Sequence, residues 1–127
     1  MTKAPVDDLT RNDRQRLVTD WCRRTFGEES AGDRHKRVLR FLEEALELYQ
    51  AEGGDMVQAS DLLARVYSRP PGDPRQEVGG VCVTLLSYCS AAEFSAEECE
   101  VTEITRVLNR PMAEARRRYA AKTDAGF

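Results

Sequence analysis

Three prolines fall within six residues in the run Arg69-Pro70-Pro71-Gly72-Asp73-Pro74, and a regular helix cannot pass through it. The run is therefore a turn. Its last two residues also start something: Asp73 can cap a helix whose first residue is Pro74. The helix so begun reaches about Ala92, with Val78, Val81, Cys82, Leu85, Leu86 and Cys89 apolar. The β-branched content of Val81-Cys82-Val83-Thr84-Leu85-Leu86 would also suit a strand. The proline cap, the length and the lack of any partner strand favour helix.

Before the turn, glycines divide the chain. Leu17, Val18, Trp21, Cys22 and Phe26 have helical spacing, which predicts a helix from about Asn12 to Phe26, stopped by Gly27. Glu28-Glu29-Ser30-Ala31-Gly32 reads as a polar loop. Asp33 caps a second helix that continues to about Glu52 and stops at Gly53-Gly54. Its wide apolar surface (Val38, Leu39, Phe41, Leu42, Ala45, Leu46, Leu48, Tyr49) calls for more than one neighbour. A third helix is expected over Met56–Tyr67, with Leu62, Leu63, Val66 and Tyr67 inward. After the long helix, Ser95 and Glu98 form a capping-box pattern for a last element that Pro111 kinks or divides. Arg116-Arg117-Arg118 and Lys122 suit the C-terminal end of that element. The expected fold is one all-α domain over residues 1–127, a bundle of about five helices, with 1–8 and 123–127 flexible. A slim helical chain of this length often completes its core by oligomerising.

Twenty-two acidic residues against nineteen basic ones give a net charge of −3. A general binder of nucleic-acid backbone would carry a basic excess, so no nucleic-acid partner is expected. The longest apolar stretch, Val81–Leu86, is far below the roughly 20 residues that cross a bilayer. No membrane partner is expected, and because the first eight residues lack an apolar signal core, a cytoplasmic location is. Cys22, Cys82, Cys89 and Cys99 form no CxxC pair and read as reduced, small core residues rather than a zinc site. His35 sits in a charged stretch and is given no catalytic role.

Chemistry is suggested by the carboxylates. Glu44 and Glu47 are three residues apart and share a helix face, while the adjacent Glu43 points about 100° away. They are interleaved with Phe41, Leu42, Ala45, Leu46 and Leu48. Acids crowded against a side that wants burial repel one another, and a divalent cation relieves that repulsion; Mg²⁺ is the oxygen-preferring candidate. The plain alternative is a solvated acidic face. Glu77 stands one turn into the next long helix, followed by Gly79-Gly80, which cost roughly 1 kcal/mol each against alanine. Such a cost predicts close approach of another backbone or a ligand. Glu77 either faces Glu44 and Glu47 across a helix pair or is simply a first-turn acid favoured by the helix dipole.

An ExxE helix, a helical connection and a helix opening with Glu-Val-Gly-Gly-Val resemble the MazG-like, all-α nucleoside triphosphate pyrophosphohydrolases, whose motif is ExxE followed by ExxD. The resemblance extends to Trp21-Cys22, Phe26-Gly27, Arg40-Phe41-Leu42-Glu43-Glu44-Ala45-Leu46-Glu47-Leu48, Ser68-Arg69-Pro70, Gln76–Val81 and Thr102–Val107. It covers roughly residues 17 to 122 and is most similar to a phage and bacterial subgroup. It implies that Glu44, Glu47 and Glu77 are catalytic and hold Mg²⁺ or Mn²⁺. The family's fourth ligand, an aspartate, is Gly80 here, and Glu43 or Glu103 are the possible substitutes. The resemblance also implies a nucleoside triphosphate as substrate, cleavage to monophosphate and pyrophosphate, and a homodimer or homotetramer. For the phosphates, Lys36, Arg40, Arg69 and Arg106 or Arg110 are the candidate partners, each with the plain alternative of a solvated charge. Trp21 could stack on a base or belong to the core. Loss of the fourth acid keeps a second class in view, a non-catalytic helical module that binds nucleotide or a protein.

Overall fold

The computed structural model describes residues 5–127, in which seven α-helices follow one 3₁₀ turn, Val6–Asp8, and no strand occurs. The helices are α1 (Arg11–Phe26), α2 (Glu28–Gly32), α3 (Arg34–Ala51), α4 (Met56–Tyr67), α5 (Pro74–Ala91), α6 (Ala96–Asn109) and α7 (Met112–Asp124). The all-α expectation holds. Two more helices occur than the five expected. Pro111 divides the last element outright, and Glu28–Gly32 coils into a short helix where a loop was expected. The anticipated flexible lead-in falls in part on residues 1–4, which lie outside the described residues.

Each start and stop has a local cause. Thr10 Oγ1 accepts from the Asp13 N–H at 3.1 Å while the Asp13 carboxylate accepts from the Thr10 N–H, a closed capping box for α1. Asp33, Asp55, Asp73 and Ser95 cap α3, α4, α5 and α6 by accepting from the backbone three residues on. At Ser95 the reciprocal bond from Glu98 is not made, so only half of the expected box forms. The Asp73-Pro74 start prevails over the β-branched content of α5. Helix α3 ends with Gly53 at φ +88°, the Gly54 N–H bonded to the Tyr49 carbonyl at 2.9 Å and the Gly53 N–H to Gln50 at 3.0 Å. A left-handed residue closes the last turn in this way. Helix α5 ends on the same pattern, but the left-handed position is held by Glu93 at φ 60°, with the Phe94 N–H reaching the Cys89 carbonyl.

Packing is concentrated around α1. It lies against α2 and α7, α2 against α3, and α6 against α5 and the 3₁₀ turn. Buried Arg14 ties α1 to α6 through Glu97 at 2.6 Å and Glu100 at 3.3 Å. Arg116 ties α7 to α1 by donating to the Thr25 carbonyl at 2.9 Å. The only apolar residues buried among those described are Cys22, Cys89 and Ala115. The surface is 10,308 Å², roughly half again the 6,800 Å² or so that a folded monomer of 14.3 kDa presents. The excess lies on α3, α4 and α5, where Phe41, Leu46, Leu62, Leu63, Val78 and Val83 are exposed and Met56 and Tyr67 are each 82% exposed. The inward face expected of α4 thus stays open, and that of α5 is covered only around Cys82 and Cys89. A Cβ at Gly79 or Gly80 would likewise meet no atom within 4 Å, so the close approach expected there is not made within one chain. Among the described residues no single helix is long and apolar enough to cross a membrane.

Candidate functional site

Helical spacing puts Arg37, Arg40 and Glu44 on one side of α3, and Glu103, Arg106 and Arg110 on one side of α6 with its cap. On α7, Arg118 and Lys122 share a side with Ala115 and Tyr119. These sides converge with Trp21 and Phe26 of α1 around a pocket of about 470 Å³. That is within the size range of small-molecule sites.

The pocket wall is aromatic on one side. Trp21 meets Phe26 edge-on with centroids 5.3 Å apart, and Phe26 stacks on Tyr119 at 4.7 Å. Arg37 lies 5.8 Å from the Phe26 ring and 6.0 Å from the Tyr119 ring, and Lys36 lies 5.7 Å from Tyr119. The Tyr119 hydroxyl shares a hydrogen bond with Ser30 Oγ at 2.5 Å and accepts from Lys36 Nζ at 3.2 Å. The Ser30 bond, with help from Lys36, holds the phenol below its usual pKa against the opposing effect of burial.

The remaining wall is charged. Arg106 forks onto Glu103, with Nε–Oε2 at 2.9 Å and Nη2–Oε1 at 2.5 Å. That bond keeps the Glu103 carboxyl below its ordinary range. Glu44 is close enough to add to the field on Arg106. Lys122 Nζ reaches Glu43 Oε1 at 2.5 Å and lowers that carboxyl, with Arg40 Nη1 a further 3.6 Å contact. Arg37, Arg110 and Arg118 form no ion pair among the described residues. Nε of Arg37, and Nε and Nη1 of Arg40, are buried with no hydrogen-bond acceptor. Buried donors are nearly always satisfied, so these ask for an acceptor the chain does not supply.

The residues singled out in the sequence are distributed unequally. Trp21, Arg40, Glu44, Glu103 and Arg106 line this pocket, and Lys36 supports it through Tyr119. Glu44 and Glu103 also border a second cavity, toward Leu85, Cys82 and Cys89. Glu47 instead lines a groove between α3 and α4 with Glu43, Tyr49 and Met56. Glu77 is exposed at the start of α5 with its carboxylate folded over Gly72. It lines neither the two cavities at Glu44 nor the groove at Glu47. Arg69 is exposed in the proline turn. Among the described residues no three His, Cys, Asp or Glu side chains stand close enough to hold a metal ion. Sequence reading missed Tyr119, Arg118 and Lys122. The signal was present, since positions 115, 118, 119 and 122 share one helix face, but the basic run was read only as favouring a helix end.

Compared with family models, curated proteins and solved structures, the chain matches none.

Proposed function

We propose that this protein is a Mg²⁺-dependent nucleoside triphosphate pyrophosphohydrolase of MazG-like type, cleaving a ribo- or deoxyribonucleoside triphosphate to the monophosphate and pyrophosphate. The observation that carries this reading is the pocket at Trp21, Arg40, Glu44, Glu103 and Arg106, which joins an aromatic wall to guanidinium groups and two carboxylates. A nucleotide has a flat apolar base and an anionic phosphate chain, and the pocket offers a surface for each.

Two carboxylates with ligand phosphates are a set that Mg²⁺ accepts, so Glu44 and Glu103, which line one pocket, would hold the ion once Glu103 is released from the Arg106 fork. The ion would supply charge neutralisation and acidify a bound water. Arg40 and Arg106 would orient the phosphate chain, and Glu44 would take the proton of the water that attacks between the α- and β-phosphates. Glu47 and Glu77 would join only from another surface. The open faces of α4 and α5, with the unfilled space at Gly79 and Gly80, support a homodimer or homotetramer in which a neighbouring chain closes the core. Pyrophosphate release from a panel of triphosphates with Mg²⁺ or Mn²⁺ tests the reading. Equal background rates for the native protein and Glu44→Gln would sink it.

The second reading, a module that binds nucleotide without turnover, is favoured by Gly80 at the place of a fourth acid. A Cβ there meets nothing, so Gly80→Asp is sterically tolerated by the chain. A gain in turnover or in Mg²⁺ affinity on that substitution supports the enzyme; nucleotide binding with no turnover in either form supports the module.

A further inference from the structure

We infer that the pocket between α3, α6 and α7 binds a chain of linked phosphoryl groups directly through guanidinium groups, with no divalent ion needed. The inference rests on the reading that the pocket takes a phosphorylated ligand, and it names how the charge is held. Arg106 and Lys122 are already engaged by Glu103 and Glu43. Arg37, Arg110 and Arg118 have no ion-pair partner among the described residues, and Arg40 has only the 3.6 Å contact to Glu43. With Glu44 set against one of these four, the pocket still keeps a surplus of positive charge. Surplus of that size matches an anion of several charges, not a neutral or singly charged ligand.

Unsatisfied donors on the same residues agree. Arg37 Nε and both Nε and Nη1 of Arg40 are buried without an acceptor. Both side chains line the pocket, so a turn of either guanidinium toward an entering oxyanion would supply the acceptor that these donors lack. Guanidinium forks bind phosphate in a two-pronged way, and two forks set on different helices fit two linked phosphoryl groups better than one. The aromatic wall formed by Phe26 and Tyr119 fixes Arg37 from behind and limits the entropy lost when the ligand binds.

The test is calorimetry on the full-length protein in EDTA, with inorganic tripolyphosphate, pyrophosphate, orthophosphate and citrate as probes. Tripolyphosphate and pyrophosphate should bind, orthophosphate should bind more weakly, and citrate should not compete. Arg40→Gln and Arg118→Gln should each weaken tripolyphosphate by about 10- to 100-fold, while Arg65→Gln on α4 leaves it unchanged. If Arg40→Gln fails to fold, the exposed Arg118 still decides the matter. Binding that appears only with Mg²⁺, equal binding of citrate, or unaltered binding by the Arg118→Gln protein would overturn the inference. Turnover of triphosphates without metal-free binding removes this inference alone. Metal-free binding without turnover upholds it and removes the enzymatic reading.

Discussion

Lys122 near the end of α7 and Glu43 in the middle of α3 form an ion pair of 2.5 Å, which joins two residues seventy-nine positions apart in sequence at the border of the cationic pocket. Because Lys122 lowers the Glu43 pKa, the pair stabilises the folded chain above the ordinary carboxylate value. That contribution is lost as pH falls through the lowered value of the folded state. Melting curves of the native protein and Glu43→Gln should therefore differ at neutral pH and converge in acid. A constant difference across pH 2–7 would contradict the pair's role.

Tyr119 should titrate below an ordinary phenol. Ultraviolet titration of the native protein minus Tyr119→Phe isolates its signal from the other tyrosines. Ser30→Ala removes the principal cause of the shift and should move that signal upward, and Lys36→Met should move it by less. No movement in Ser30→Ala would show that the hydroxyl pair does not govern the phenol.

Glu93 occupies the left-handed position that closes α5, where a side chain costs roughly 1–2 kcal/mol. Glu93→Gly should raise stability by about 1 kcal/mol, which corresponds to a gain of roughly 4 °C in Tm. Glu93→Ala should give no such gain. Thermal denaturation followed by circular dichroism checks both.

The open face of α4 makes a prediction about mass. Light scattering on the eluting protein should give a multiple of 14.3 kDa. Leu62→Glu or Leu63→Glu, placed on the exposed apolar face, should yield smaller or unfolded species. A well-folded native protein at the mass of one chain would refute closure by a second copy.

Most helix ends were legible because the punctuation is local. Gly27, Gly53 and the Arg69–Pro74 turn act on their own neighbours, and Asp33, Asp55, Asp73 and Ser95 cap within three residues. Glu28–Gly32 was misread because a five-residue helix leaves no periodic signal. The site was less legible. Glu44 and Glu103 are separated by the end of α3, the whole of α4 and α5, the proline turn and the start of α6, and nothing in their spacing says that they line one pocket. Of the acids expected to act together, Glu44 and Glu47 share a side of α3 but border different pockets, and Glu77 stands exposed at the start of another helix. Arg118 and Lys122 were hidden for another reason: a basic residue near a helix end already has a sufficient explanation in the dipole, so a second use leaves no trace in sequence.

The surface of 10,308 Å² has a consequence for how this protein behaves in dilute solution. If the proposed oligomer closes the core, a chain that buries so little of its own apolar surface draws its cohesion from encounters with other copies, and folding becomes a reaction of second or higher order in protein. Dilution then acts as a denaturant, and the melting temperature climbs with concentration. In a cell, the rate of synthesis itself would set what fraction of the chains is folded.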